Sequence, residues 1–358
     1  MIYRMQHQPF WAQQNMARKL PFVKGRATVV RTIRQFFDQQ GFTEVETPIL
    51  QVSPGMEPHL RTFATHLEHG LGGQHVGRHL QTSPEFTMKK LLAAGMPQIY
   101  QLARCFRNGE FSRLHHPEFT MLEWYRSHAP YTQLMDDCAS LLKCVENALG
   151  QSYQSAGKTC SAQNGVEKRT VAEAFFQYVD LDIFATVTDL SDPDPNPQAL
   201  AAALRHRNIY VGAEDRWEDL FFRVFMEYIE PNLGVGKPTI LYDYPISMAA
   251  LSRPKKNNPM LAERFELYVC GAELANAFGE LTDANEQRRR FQQDLDLRQQ
   301  LYGTSLPVDE DFLQAVAHMP PASGIALGVD RLAMLATHAA HINDVLWAPV
   351  DPTGLPLA

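Results

Sequence analysis

The chain is poor in the features that announce a secreted, membrane or metal-stapled protein. Its 358 residues include five cysteines, Cys105, Cys138, Cys144, Cys160 and Cys270. They are scattered and odd in number, and no two share a C-x-x-C spacing. That pattern excludes a disulfide framework or a zinc ribbon and reads as reduced thiols in a cytoplasmic protein. No apolar run approaches the length of a membrane span, and the first fifteen residues, MIYRMQHQPFWAQQN, hold no apolar core of signal length. Basic charge is also short: 33 Lys and Arg stand against 40 Asp and Glu, a formal net charge of −7. No global positive field is available to grip a nucleic acid, so stable tRNA binding is not expected. Internal repeats are absent too. The apolar fraction is 45 % and the charged fraction 20 %, ordinary for a globular protein with a core to bury.

The periodicities alternate between helix and strand. Residues 26–40 place Val29, Val30, Ile33, Phe36 and Phe37 at helical spacing, with Gly41 as the terminating residue. FTEVETPIL then alternates as a strand that stops at Pro48. Residues 53–79, rich in Gly, His and Pro, read as an irregular excursion beside a site. In HLQTSPEFTMKKLLAAG, Ser83 is a good N-cap, Pro84 suits the first helical position, Glu85 favours the positive helix end and Gly95 closes the helix. Helices are expected over 132–149, from 171, over 198–207 and over 216–229. A polar loop is expected at 150–168 and a proline-broken linker, LSDPDPNP, at 189–197. TILYDY is a strand. The helix 286–302 reads as a solvated surface helix with Phe291, Leu295 and Leu301 turned inward.

Two stretches carry more charge than folding needs. YQLARCFRNGEFSRLHHPEFTMLEWY reads as two strands joined by a loop that holds Arg107, Asn108, Glu110, Arg113, His115 and His116. Arg107 and Arg113 offer planar forks of donors suited to phosphate. The strand period sends Glu123 and Tyr125 to one face. A solvated hairpin loop explains the same residues without chemistry. In ERFELYVCGAELANAFGELTD, Cys270-Gly271 suits a two-residue turn. Tyr268 then lies opposite Glu273, and Glu266 shares their face at about 5–8 Å. Two carboxylates that close call for a cation, and Mg²⁺ shared with phosphate oxygens is the natural one. A slipped hairpin with one glutamate in solvent is the competing account.

The string F-R-N-x-E…R-x-H-x-P-E-F-x-M-L-E-W-Y resembles motif 2 of the class II aminoacyl-tRNA synthetases in its lysyl form. Two further elements stand in the right order. The helix, Gly41 and the strand ending at Pro48 resemble motif 1, and G-x-A-x-G-x-D-R around Arg331 resembles motif 3. Glu-x6-Glu-x2-Asn-x3-Glu, from Glu266 through Glu273 and Asn276 to Glu280, matches the lysyl-type pattern. The resemblance runs from about Arg26 to about Ala336. It implies an α+β fold, an antiparallel sheet flanked by helices, in one catalytic domain over 1–358 with a mainly helical insertion near 132–235. Motif 1 implies a homodimer. Fewer than thirty residues precede the motif 1 helix, so no N-terminal OB-fold anticodon-binding domain is expected. The free-standing branch that fits is the family of ligases that join (R)-β-lysine to elongation factor P.

That resemblance implies an ATP-dependent enzyme that forms an acyl-adenylate and transfers (R)-β-lysine to a lysine of elongation factor P. Arg107 and Arg331 are the implied catalytic pair. ATP falls to Arg107, Asn108, Gly109, Glu110, Arg113, His115, His116, Glu273, Leu274, Gly328 and Arg331, with Mg²⁺ on Glu266 and Glu273. β-Lysine falls to Ser83, Glu85, Glu123, Tyr125, Asn276, Glu280 and Ala326. The sequence departs from the pattern at three places. Gly109 stands where motif 2 has a glutamate that contacts adenine, with Glu110 following; His116 replaces an asparagine; and Ala326 replaces the middle glycine of motif 3. The extra methyl of Ala326 lies where α- and β-lysine differ and supports the β-lysine expectation. A truncated α-lysine-activating enzyme with another acceptor, and a non-catalytic regulator that would have lost the arginines or carboxylates, are the alternatives.

Overall fold

A computed structural model of the chain describes residues 10–70, 72–189, 192 and 194–350. Positions 190, 191 and 193 of the expected linker lie outside them, as do residues 1–9. The centre is an eight-stranded sheet. Its order is Thr43–Glu44, Gln98–Phe106, Glu118–Ser127, Ala322–Gly328, Ala272–Gly279, Arg264–Val269, Thr239–Tyr242 and Glu167–Thr170. The inner pairings are antiparallel, and the outermost strand at each edge runs parallel to its neighbour. The sheet is therefore mixed rather than purely antiparallel.

Strand alternation divides the sheet into an apolar and a chemical face. Tyr100, Leu122, Trp124, Phe265, Leu267, Ala275, Ala277, Ile325 and Leu327 join one core cluster. Three helices cover it, Gln13–Gln39, Tyr131–Leu149 and Val329–Thr337. Phe37 stacks on Tyr100 with ring centroids 4.8 Å apart. The opposite face is read across the strands in rows. Glu266, Asn276, Ala326, Glu123 and Gln101 are successive register partners, as are Arg264, Phe278, Gly324, Tyr125 and Ile99.

Several elements differ from expectation. The first helix begins at Gln13 and runs through Pro21. Its early turns are held by contacts outside the helix: Arg18 pairs with Asp344 at 3.0 Å and Lys19 Nζ donates to the Leu346 carbonyl at 2.6 Å. Tertiary contacts thus override the break that proline favours. The excursion at 53–79 contains a hairpin, Ala64–Glu68 with His75–Leu80, extended by Leu50–Gln51. The expected loop at 150–168 forms a small hairpin, Tyr153–Ser155 with Lys158–Cys160, and leads to the sheet's edge strand. The inserted helices Val171–Val179, Gln198–His206 and Trp217–Val224 share a second cluster, built on Phe175, Trp217 and Phe221, which reaches the sheet at Leu241 and Tyr268. On the helix Ala284–Tyr302, Phe291 and Leu295 are buried as expected, but Leu301 is 48 % exposed, and Gln287 and Arg298 take inward positions instead.

Candidate active site

The hairpin that carries three site positions contains an irregularity that sets their spacing. Cys270 and Gly271 both have positive φ, 55° and 73°, as a tight turn of this hand requires. Val269 pairs with Ala272 and Tyr268 with Glu273, the register expected from a two-residue turn. The next pair is Leu267 with Ala275, so Leu274 is an extra residue, a β-bulge. Glu273 and Asn276, three apart, therefore both line the same cavity, and Phe278 follows at the ordinary period of two.

That cavity, about 490 Å³, lies on the chemical face of the sheet. Its walls include Ser83, Glu85, Arg107, Glu110, His115, His116, Glu273, Leu274, Asn276, Ala326, Gly328 and Arg331, twelve of the positions singled out from the sequence. Arg107 stacks its guanidinium 5.2 Å from the Phe119 ring centroid, and its buried Nε has no hydrogen-bond partner among the described residues. No described carboxylate forms an ion pair with it. Arg331 is aimed by its neighbour. Asp330 is buried, pairs with Arg26 at 2.7 Å and accepts from the Thr120 amide at 2.6 Å, which fastens the helix Val329–Thr337 to the sheet. Arg331 then donates to the Glu273 carbonyl and, at 2.9 Å, to Nε2 of His115. Burial, with Arg331 and Arg107 adding repulsion, pushes His115 down to about 4. The ring is neutral near pH 7, and Nδ1 keeps the proton for Ser112 Oγ at 2.8 Å.

The other end of the cavity is acidic. Ser83 Oγ accepts from the Glu85 amide at 3.0 Å and donates to Glu123. Tyr125 donates to the second Glu123 oxygen at 2.7 Å. Burial first, then the Glu85 charge, raise Glu123 to about 8. Burial likewise raises Glu280 to about 7, against the pull of Lys89.

Seven expected positions do not line the cavity. Glu123, Tyr125 and Glu280 lie in the buried layer beneath it; Glu123 already has both oxygens hydrogen-bonded, and Glu280 contacts Lys89 at 2.6 Å. Asn108 and Gly109 are exposed, and the Asn108 amide donates to the Arg61 carbonyl. Arg113 is exposed and turned toward Ser155 at 3.2 Å, which removes it from the phosphate side. Glu266 accepts from Arg264 and Tyr244, each at 2.6 Å, and from Tyr268. With these donors on it, Glu266 is not poised as a metal ligand. Glu273 has no side-chain hydrogen bond among the described residues, and burial together with the Glu266 charge raises it to about 7. An open carboxylate under such repulsion fits a divalent cation that takes its remaining ligands from phosphate. The Mg²⁺ expectation is thereby fitted at Glu273 and not at Glu266. His116 has a second duty: Nδ1 contacts the Glu118 carbonyl and Nε2 accepts from the Val350 amide at 3.0 Å.

Other cavity residues were not singled out from the sequence, although the excursion at 53–79 was expected beside a site. Arg264 is one of them. Met56, Glu57, Pro58, His59 and Leu60 form one rim, held where Arg298 donates to the carbonyls of Pro58 and Leu60 at 3.1 and 2.8 Å. Asp294, from the helix read as solvated, lines the same rim. Gly324 has no room for a side chain: an added Cβ would lie 2.2 Å from Tyr125 Cε1 and 2.3 Å from Glu280 Oε1.

The chain is similar to known proteins over nearly its whole length. The family model described as tRNA synthetases class II (D, K and N) matches residues 4–351. An elongation factor P–(R)-β-lysine ligase of Edwardsiella ictaluri is 41 % identical over 330 residues, 91 % of this chain and 94 % of that protein. The ligase of the same name from Hamiltonella defensa is 39 % identical over 328 residues, with the same coverage. That of Salmonella typhi is 39 % identical over 336 residues, 93 % of this chain and 96 % of its own.

Proposed function

The chain belongs to the class II tRNA synthetases of the D, K and N group, and on that premise we propose that it is the ATP-dependent ligase that joins (R)-β-lysine to elongation factor P. The observation that carries the proposal is the polarity of one cavity. Uncompensated guanidinium groups, Arg107 and Arg331, stand at one end, and buried carboxylates at the other. A nucleotide triphosphate suits the first and an amino acid with two ammonium groups the second. A neutral amino acid would bring no countercharge to an end where Lys89 alone faces several acids, which is costly.

In the first step a carboxylate oxygen of β-lysine attacks the α-phosphorus of ATP. A new O–P bond forms, the bond to the β-bridging oxygen breaks, and pyrophosphate leaves. Arg107 receives the charge that develops on the α-phosphate, an interaction that strengthens toward the transition state. Arg331 and neutral His115 hold the outer phosphates, and Asp330 keeps Arg331 in place. Mg²⁺ on Glu273 would neutralise the departing pyrophosphate. In the second step the neutral ε-amine of an acceptor lysine attacks the acyl carbon and AMP leaves.

Ser83, Glu85 and Asn276 face the amino acid, and Glu280, Tyr125 and Glu123 shape the charge beneath it. Ala326 sits between register partners Asn276 and Glu123, so its methyl projects at the centre of the amino-acid end. This supports discrimination by shape near the backbone of the amino acid. We further propose a homodimer in the cytoplasm. Ile49, Leu50 and Val52, just past the motif 1 strand, are 40 %, 46 % and 42 % exposed, an apolar group suited to a second subunit. None of the described helices is long and apolar enough to cross a membrane.

The test is the intact mass of elongation factor P after incubation with the protein, Mg-ATP and either (R)-β-lysine or α-lysine. Gain of one lysyl unit, faster with β-lysine, is expected. Pyrophosphate release without that gain would refute the acceptor, and no pyrophosphate release with either amino acid would refute the ligase.

A further inference from the structure

A cation already stands among the carboxylates of the amine end. Lys89 lies on the helix Glu85–Ala93, one turn after Glu85, and is 1 % exposed. Its Nζ contacts Glu85 Oε1 and, at 2.6 Å, Glu280 Oε2. Neither the reaction nor the motif resemblance gives this lysine a part. A lysine buried this deeply is rare and persists only when paired. Here it is paired twice, by residues almost two hundred positions apart in the chain.

The surroundings are otherwise acidic. The charged and titratable groups around the amine end are Glu85 on the lysine's own helix and Glu280 after the strand Ala272–Gly279. Glu123 and Tyr125 come from the motif 2 strand, Glu57 from the cavity rim, and Arg253 acts on Glu280 from the far side. Without a cation between them, Glu85 and Glu280 would repel, and Glu280, already raised by burial, would hold its proton more tightly. A protonated carboxyl is a poor acceptor for an ammonium ion. Lys89 prevents this by holding one oxygen of each acid. It also offsets only part of the acidic charge gathered here, so the group still favours positive charge brought by a ligand.

We propose that Lys89 is a positioning residue of the amino-acid pocket, a resident ammonium that holds Glu85 and Glu280 in place as acceptors and so sets how the pocket receives the ammonium groups of its substrate. This rests on the functional reading above for the identity of the substrate. The cation site itself rests only on the geometry of Lys89. Lys89 acts through the two glutamates, so its loss acts on amino-acid binding and leaves the nucleotide end alone. In its absence Glu280, already raised to about 7 with Lys89 present, rises further, and substrate binding at neutral pH then requires removal of a proton.

The experiment compares wild type, Lys89→Ala, Lys89→Met and Lys89→Arg in ATP–pyrophosphate exchange with (R)-β-lysine between pH 6 and 9. Thermal unfolding is followed in parallel with added n-propylammonium or n-propanol. For Lys89→Ala and Lys89→Met the KM for the amino acid rises on the order of tenfold or more at pH 7, with the KM for ATP unchanged. The deficit shrinks as pH rises, and Lys89→Arg retains part of the affinity. Propylammonium, but not propanol, restores the KM of Lys89→Ala and raises its unfolding temperature, with no such effect on wild type. An unchanged amino-acid KM in either folded variant, or equal rescue by propanol, overturns the proposal, because a merely packed side chain behaves that way. Should Lys89→Ala fail to fold, Lys89→Met keeps the volume and reads the charge alone. If wild type shows no exchange while propylammonium still stabilises Lys89→Ala selectively, the functional reading fails and the cation site stands.

Discussion

Replacing Gly324 by alanine tests whether the floor of the amine end is as tight as the structure makes it. The new Cβ would lie 2.2 and 2.3 Å from Tyr125 Cε1 and Cδ1 and 2.3 Å from Glu280 Oε1. Carbon atoms in contact normally stand about 3.5–4.0 Å apart, so the Tyr125 ring must withdraw by more than about 1 Å. Neither neighbour has a free end to yield. Tyr125 is 3 % exposed and its hydroxyl is fixed to Glu123 at 2.7 Å; Glu280 is 1 % exposed and fixed to Lys89 at 2.6 Å. Overpacking of a filled site costs ~1–3 kcal/mol. Detaching Glu280 from its buried partner would cost ~3–5 kcal/mol, so the strain is expected to be absorbed by a shift of Tyr125 and Glu280 together. The expected loss of stability is therefore ~1–3 kcal/mol. A displacement of about 1 Å at a substrate-positioning group costs on the order of a hundredfold in turnover. Gly324→Ala is expected to lose about that much in kcat/KM for the amino acid with the KM for ATP little changed. Thermal unfolding and ATP–pyrophosphate exchange read the two effects. Gly77→Ala is the control, since nothing lies within 4 Å of its added Cβ. A Gly324→Ala protein with the wild-type unfolding temperature and amino-acid KM would refute the packing argument.

Three further outcomes are expected. Arg107→Ala should lower adenylate formation by two orders of magnitude or more in ATP–pyrophosphate exchange, because it removes a donor aimed at developing charge; near-normal exchange would remove Arg107 from the chemistry. Amino-acid affinity should fall as pH drops through about 8, where Glu123 takes up a proton, and further through about 7, where Glu280 does. The ligand favours the ionised acids, so its binding releases protons near pH 7; calorimetry in buffers of different ionisation enthalpy measures this, and net proton uptake would contradict it. Ala326→Gly should relax the preference between β- and α-lysine by about 10–200-fold, the usual worth of one methyl in a pocket, as read from the two kcat/KM values; unchanged selectivity would separate Ala326 from the choice of amino acid.

What the sequence revealed and what it hid have a common physical cause. Arg107 and Glu273 were visible because charge gathered in a loop, or two carboxylates on one face, has little structural purpose, whereas Glu85 and Arg331 were reached through the motif resemblance. The register of Tyr268 with Glu273 followed from the turn alone. Lys89 was hidden because a lysine at helical spacing from a glutamate looks like any solvated pair, and only the fold brings Glu280 to its other side. Arg113 was placed by its fork of donors and Glu266 by the hairpin register, with the motifs behind both, yet Ser155, Arg264 and two tyrosines compete for them in space. The stretch 53–79 was read as an excursion beside a site, but that Met56–Leu60 are the part that forms the rim was not legible, since a carbonyl clamp such as that of Arg298 leaves no local pattern. Pro21 concealed the start of the first helix because intrinsic propensity knows nothing of the Leu346 carbonyl.

The bulge at Leu274 acts as a phase marker. Downstream of it, Asn276, Phe278 and Glu280 keep strict alternation, whereas Glu273 upstream belongs to the frame of the turn. The nucleotide end and the amine end are thus written in two reading frames on one strand. Deleting Leu274 would merge the frames and still leave Tyr268 opposite Glu273 and Glu266 opposite Asn276, so both residues would stay on the chemical face. Inserting or deleting a residue between Asn276 and Glu280 would instead turn Glu280 away from the face that carries Asn276, with composition almost unchanged. Point substitutions can tune such a strand residue by residue, but changes of length are not tolerated between Asn276 and Glu280. Length conservation across those five positions should therefore be stricter than at Leu274 itself.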